Sequence, residues 1–199
     1  MPDAVLTKAW LVDLDGTLAD TSEANFRAYA QALQEGAGIA IDRPTFEREA
    51  FGRNWRQFLP GMIARAGAAA DPADIARRKT ELYRQTIRHA RFNEALLALL
   101  QGRGAAVRAA LVTTASAANV ASVLGQRPDI ARVFDLVVSG DDVQRHKPDP
   151  EAYHLAATRL GVVAGECLVF EDSDIGCAAG LAFGARVLRV SMDLPVQEA

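Results

Sequence analysis

Five short apolar stretches flanked by turn residues constrain this chain most: Ala9 to Asp13, Ala109 to Thr113, Phe134 to Ser139, Cys167 to Phe170 and Ala185 to Val190. Their length and their content of Val and Leu suit strands buried on both faces, as in a parallel sheet. Helical patterns intervene between the last four, from Ser116 to about Leu124, about Pro150 to Leu160, and about Asp174 to Phe183. Asp149-Pro150 gives the middle helix an N-cap and a first-turn proline, and Gly161 stops it. This alternation predicts an α/β core with a doubly wound, Rossmann-like parallel sheet.

The first strand breaks the rhythm, because residues 19–91 read as helix almost throughout. Phe26, Tyr29, Ala30 and Leu33 share one helix face, which Gly36 and Gly38 end. A shorter helix runs from Pro44 to Phe51 with Asp42 as its cap, and Trp55, Phe58, Leu59, Met62 and Ile63 form a third face. Pro60 predicts a kink or a late start there. Asp71-Pro72 opens a longer helix carrying Ile75, Leu82, Tyr83 and Ile87, and Asn93 caps a last one from Leu96 to Leu100. The expected organisation is therefore an α/β core of residues 1–18 and 92–199, with an all-helical domain of residues 19–91 inserted behind the first strand. Such an insert sits over that strand's carboxyl end, where ligands bind in open α/β sheets.

Composition narrows the functional classes. The formal charge of −3 offers no broad basic field for nucleic acid. No apolar run approaches the length of a membrane span, and Asp13 and Asp15 interrupt the first hydrophobic run too early for a secretory signal, so the expected compartment is the cytoplasm. Cys167 and Cys177 are too few for a disulfide framework or a four-cysteine zinc site and read as buried reduced thiols.

Chemistry concentrates at predicted strand ends. Asp13-Leu14-Asp15-Gly16-Thr17-Leu18 places two carboxylates at i and i+2, and Gly16 permits a sharp turn. Close carboxylates repel, so the pair calls for a cation or a shared proton, and Mg²⁺ is the hard ion that a few oxygens and a substrate phosphate can hold together. Thr113-Thr114-Ala115-Ser116 brings hydroxyls to a helix start, an anion site when combined with the helix amides and an ordinary cap otherwise. In His146-Lys147-Pro148-Asp149-Pro150 the lysine suits a phosphate as a point charge, or else belongs to a solvated turn; His146 is read as exposed. Glu171-Asp172-Ser173-Asp174 ends an apolar strand with acids able to complete a metal shell, with Asp174 better suited to the helix dipole.

In this order the four segments resemble the haloacid dehalogenase-like (HAD) superfamily, from about Val5 to Val190, including Asp20-Thr21, Phe26-Arg27, Lys147-Pro148-Asp149-Pro150 and Gly176. The insert matches in position and size more than in wording. The resemblance implies that Asp13 is a nucleophile forming an aspartyl-phosphate and that Asp15 is the general acid and base. It implies Mg²⁺ held by Asp13, the Asp15 carbonyl and Asp172, with Glu171 in support, and phosphate held by Thr113, the Thr114 amide and Lys147. An acid at position 15 points to phosphate esters, hence a phosphatase of a small phosphorylated metabolite with a helical cap. Arg53, Asn54, Trp55 and Arg56 are the substrate-facing candidates on the cap, Trp55 equally being a cap-core residue. The alternative is a mutase similar to β-phosphoglucomutase, in which Arg53 and Arg56 would contact a second phosphate; such mutases carry a histidine where Asn25 stands. A non-hydrolytic binding module is the third reading, opposed by the intact acids. Asn93-Glu94 departs from the Pro-Gly pair of many relatives.

Overall fold

The computed structural model describes residues 6–192; residues 1–5 and 193–199, which include Val5 and the outer ends of the predicted core segments, lie outside the described residues. Strands β1 (Ala9–Val12), β4 (Arg108–Val112), β5 (Leu136–Val138), β6 (Cys167–Glu171) and β7 (Arg186–Arg189) form one sheet in the order β5-β4-β1-β6-β7. Every pairing in it is parallel. The two short strands β2 (Ala19–Asp20) and β3 (Arg91–Phe92) form a separate antiparallel ribbon that the apolar pattern does not predict. They pair two residues deep where the chain leaves and re-enters the sheet region, and Arg91 adds an ion pair to Asp20 at 2.8 Å.

Alternation along the strands feeds two cores. Ala9 and Leu11 of β1 face one side with Ala110, Val112, Val169 and the buried faces of α8 (Glu151–Leu160) and α9 (Asp174–Phe183). Val12, Leu111 and Phe170 face the other, with α5 (Glu94–Gln101), α6 (Ala117–Leu124) and the short α7 (Pro128–Ala131). The apolar interior of the helical insert is continuous with this second core. Its helices are α1 (Ser22–Ala37), α2 (Arg43–Glu49), α3 (Trp55–Arg65) and α4 (Pro72–Thr86).

Several local expectations shift. The buried stripe of α1 is Ala24, Ala28, Tyr29, Ala32 and Leu33, rotated from the face through Ala30 because the small alanines allow α4 to pack close. Gly36 lies inside α1, and Gly38, with φ of 66°, ends it. Pro60 does not delay α3, which begins at Trp55 and carries the proline inside it: Asn54 and Gln57 cap its start, and the burial of Phe58, Leu59, Met62 and Ile63 outweighs one missing backbone bond on the exposed face. α8 begins at Glu151, one residue late, although the Asp149 carboxylate still accepts from the Glu151 amide at 3.0 Å. Cys167 is buried as expected, but Cys177 is half-buried, since its side of α9 is only partly covered.

Candidate active site

The carboxyl ends of β1, β4 and β6 bring the acids and hydroxyls together because their ladders are in register. Asp13 N donates to Phe170 O and Thr113 N to Val138 O, each at 3.0 Å; Val12 pairs with Leu111, so Thr113 stands one residue further out along its strand than Asp13. Lys147 arrives from the loop between β5 and α8. Its Nζ donates to Asp13 Oδ1 at 2.7 Å, Glu171 Oε1 at 2.6 Å and Val112 O at 3.0 Å. An ammonium has three donors, and all are used. The solvated-turn alternative is thereby corrected, for Lys147 is 2% exposed. His146 is also buried, contrary to expectation, because the loop that carries Lys147 inward takes its neighbour with it; His146 Nδ1 has no hydrogen-bond partner among the described residues.

Asp13, Glu171 and Asp172 each offer a carboxylate oxygen within 4.8 Å of the others. One ammonium pairs with Asp13 and Glu171, so the three acids leave negative charge in excess. Burial and then the charge of Glu171 push Asp13 well above the usual carboxylate range, with Lys147 pulling it back. Burial and Glu171 raise Asp172 to about 6. Burial opposes the charge on Lys147, yet Asp13 and Glu171 outweigh it and hold the ammonium protonated. A cluster of hard oxygens with surplus negative charge is the donor set a small divalent cation requires, so these residues fit Mg²⁺.

Glycines shape the cluster. Gly16 has φ of 88°, and a β-carbon there would stand 2.2 Å from Asp172 Oδ2. A β-carbon on Gly176 would fall 2.0 Å from the Glu171 carboxylate. Tyr153 Oη donates to Glu171 Oε1 at 2.8 Å and Ser173 Oγ to Oε2 at 3.2 Å, which fixes that acid. Thr17 Oγ1 donates to Asp172 Oδ1 at 3.2 Å, and Asn93, besides capping α5, ties its amide to Thr17 O at 3.2 Å. Asp174 is exposed and pairs with Arg189, in agreement with its reading as a helix-start acid.

The Asp15 carboxylate belongs to a different network. Thr21 Oγ1 donates to its Oδ1, as does Asn25 Nδ2 at 3.3 Å, and Thr113 Oγ1 donates to Oδ2 at 3.4 Å. Asp15 thus faces a cavity of about 460 Å³ between the insert and the strand ends, lined by Asn25, Arg53, Trp55, Lys79 and Thr114 among others. Arg56 does not join it. Its guanidinium stacks on the Trp55 ring at 4.5 Å and borders a second cavity beside His146, which separates it from Arg53. Trp55 is half-buried: it packs against the apolar core and also lines the cavity.

Amides at the start of α6 are largely taken: Thr113 Oγ1 accepts from Ala115 N, Asp141 from Ala117 N and Ser116 from Asn119 N. The insert grips this region. Asn54 Nδ2 donates to Thr114 O at 3.1 Å, Thr114 Oγ1 to Gly52 O at 3.2 Å, and Gln57 Nε2 to Lys147 O at 3.2 Å.

Lys79 and Tyr153 escape a reading by motif. For Lys79 a signal was available: it interrupts the apolar stripe of Ile75, Leu82 and Tyr83 on α4, where a lysine is costly. Tyr153 gives none beyond its place on the buried face of α8.

The fold and site thus combine a parallel α/β sheet, a buried carboxylate cluster at its strand ends and a helical layer inserted behind the first strand. The sequence profile of haloacid dehalogenase-like hydrolases matches residues 7–184, and the chain belongs to that family. It is 31% identical over 185 residues to the fructose-1-phosphate phosphatase YqaB of Escherichia coli strain K12, covering 92% of this chain and 95% of that protein. It is 30% identical to the protein CbbY of Rhodobacter capsulatus, over 91% of this chain and 84% of the relative. The crystal structure of CbbY from Rhodobacter sphaeroides in complex with phosphate superposes with a TM-score of 0.81 at 27% identity, covering 97% of this chain and 90% of the other.

Proposed function

We propose that the protein is a Mg²⁺-dependent phosphatase that hydrolyses a small sugar phosphate through an aspartyl-phosphate on Asp13. The observation that carries this reading is the convergence of Asp13, Glu171 and Asp172 within 4.8 Å around the Lys147 ammonium. A phosphate dianion approaches a carboxylate nucleophile only when positive charge offsets their repulsion. Asp13, Asp172, Glu171 and the backbone of Asp15 would hold Mg²⁺, which supplies that charge when bound.

Asp13 attacks phosphorus, the ester bond breaks, and the alkoxide leaves with a proton from Asp15. Water then attacks the aspartyl-phosphate while Asp15 takes its proton, which frees phosphate and regenerates Asp13. Lys147, already saturated by Asp13, Glu171 and Val112, contributes as the charge that keeps Asp13 approachable rather than as a free phosphate hand. Thr113 and the Thr114 amide border the phosphate position.

Residues 19–91 serve as a cap over a core of residues 1–18 and 92–199, with the β2–β3 ribbon as hinge and the Asn54, Gln57 and Thr114 contacts as its closed latch. The similarity to a fructose-1-phosphate phosphatase and the hydrogen-bonding side chains of Arg53, Asn54 and Thr114 in the cavity wall support a sugar phosphate as substrate. Position 25 carries an amide engaged with Asp15 in place of the histidine common in such mutases, and the mutase reading is the less supported of the two. The test is phosphate release from a panel of sugar phosphates with Mg²⁺, run beside Asp13→Asn. Release by the wild type alone supports the reading; equal release by Asp13→Asn, or none from any ester, overturns it.

A further inference from the structure

Lys79 is a buried amine with no acid paired to it among the described residues. It is 3% exposed, and no ion pair to it occurs among the described residues, whereas Lys147, equally buried, holds two carboxylates. The Lys79 ammonium rests against the rings of Tyr83 and Tyr29, 4.1 and 4.9 Å from their centroids, and donates to Asn25 Oδ1 at 2.6 Å. Burying an ammonium without a counter-ion is expensive, so what it does for Asn25 is the question.

The Lys79 amino group has a proton to donate to Oδ1 in either protonation state, a carboxylate only accepts, and a carboxamide accepts through oxygen and donates through nitrogen. With Oδ1 held by Lys79, the Asn25 nitrogen must face the other way, toward Asp15 Oδ1 at 3.3 Å and Thr21 Oγ1 at 3.1 Å. The alternative orientation would aim an amide oxygen at the Asp15 carboxylate, which is repulsive. Lys79 belongs to α4, Asn25 to α1 and Asp15 to the turn after β1, so the chain of contacts crosses from the insert to the strand end.

We propose that Lys79 is a positioning residue for Asp15, acting through Asn25; the inference rests on the phosphatase reading in which Asp15 is the acid and base. Lys79 locks the amide, the amide holds the carboxylate, and a misplaced acid loses orientation that transition-state geometry requires. The acid and base is then fully assembled only while α4 and α1 are packed over the strand ends.

The test is a double-mutant cycle read in kcat/KM. Lys79→Met should lower kcat/KM for fructose 1-phosphate at least tenfold, and less for p-nitrophenyl phosphate, whose leaving group needs little protonation. In an Asp15→Ala background the same substitution should cost less than twofold. Asn25→Ala, which keeps Lys79, should reproduce the pattern should Lys79→Met fail to fold. An undiminished loss in the Asp15→Ala background means that Lys79 binds substrate or supports the fold directly, and overturns the proposal, as does no loss in the wild-type background. A wild type inactive on both esters sinks the phosphatase reading instead. Crystal structures of wild type and Lys79→Met then decide the positioning claim: an Asp15 carboxylate that moves out of reach of Asn25 Nδ2 upholds it, and an unmoved one overturns it.

Discussion

Gly16 leaves room for the carboxylate of Asp172: a β-carbon at position 16 would lie 2.2 Å from Oδ2 and 2.8 Å from Cγ. The same glycine adopts φ of 88°, a conformation that favours glycine. Gly16→Ala should therefore displace Asp172, break its 3.2 Å bond from Thr17 and lower Mg²⁺ affinity about 10–100-fold, the usual effect of disturbing a ligand's support. Calorimetric titration with Mg²⁺ checks this, and an unchanged affinity counts against Asp172 as a ligand.

Asp13→Asn keeps an oxygen for Lys147 Nζ, now 2.7 Å from Oδ1, while removing the nucleophilic charge. Turnover should vanish while the thermal transition stays cooperative. Retained phosphate release by this variant would remove Asp13 as nucleophile.

Asp15→Ala should cost on the order of 10²–10⁴ in rate, the typical worth of general acid–base assistance. The three donors around its carboxylate place it at the wall of the substrate cavity, and no cavity-filling side chain replaces its proton transfer. A steady-state assay showing an unchanged rate contradicts the role.

Mg²⁺ removal by chelation should stop activity, and calcium should replace it poorly because calcium relaxes the octahedral geometry. Asp172 gives the pH dependence its sign. Burial raises it to about 6, above the ordinary 3.8, so between those values the folded apo-protein holds a proton that the unfolded chain has released. Apo stability from this group is present below pH 3.8 and falls as pH rises through 6, while metal binding must expel the proton. The rise in Tm on adding Mg²⁺ should therefore be larger at pH 7.5 than at pH 5.5; equal rises would show that Asp172 lies outside the metal site.

Burial lowers Lys79 to about 7 from an ordinary 10.5. Between those values the unfolded chain carries a proton that the folded protein lacks, so this group makes stability rise with pH across that window, by on the order of 5 kcal/mol in all. Lys79→Met removes the slope. Its Tm advantage over wild type should be largest near pH 6 and shrink toward pH 9.5, and parallel curves would show the ammonium to be compensated.

How much was legible in the chain depends on how local the physics is. The five strands and the helices between them follow from periodicity and turn residues, and the four acidic, hydroxyl and lysine segments lie where a parallel sheet collects its strand ends. The β2–β3 ribbon was not legible, since two residues per strand leave no period to read. Arg53 and Arg56 look equivalent as neighbours of Trp55, yet stacking on the indole sends Arg56 to another cavity. Lys147 looked like a free phosphate hand; only the distances reveal that its three donors are already occupied.

By itself, then, the sequence determined the layered fold, the helical insert and the chemical groups available at the strand ends, because strand alternation, helix caps and turn residues act over a few neighbouring positions. Tertiary structure alone decided which carboxylates cluster and share the Lys147 ammonium, why Gly176 must yield space to Glu171, and that Lys79 reaches Asp15 through Asn25. Burial and net local charge are sums over segments far apart in the chain, and no stretch of sequence carries that sum within itself.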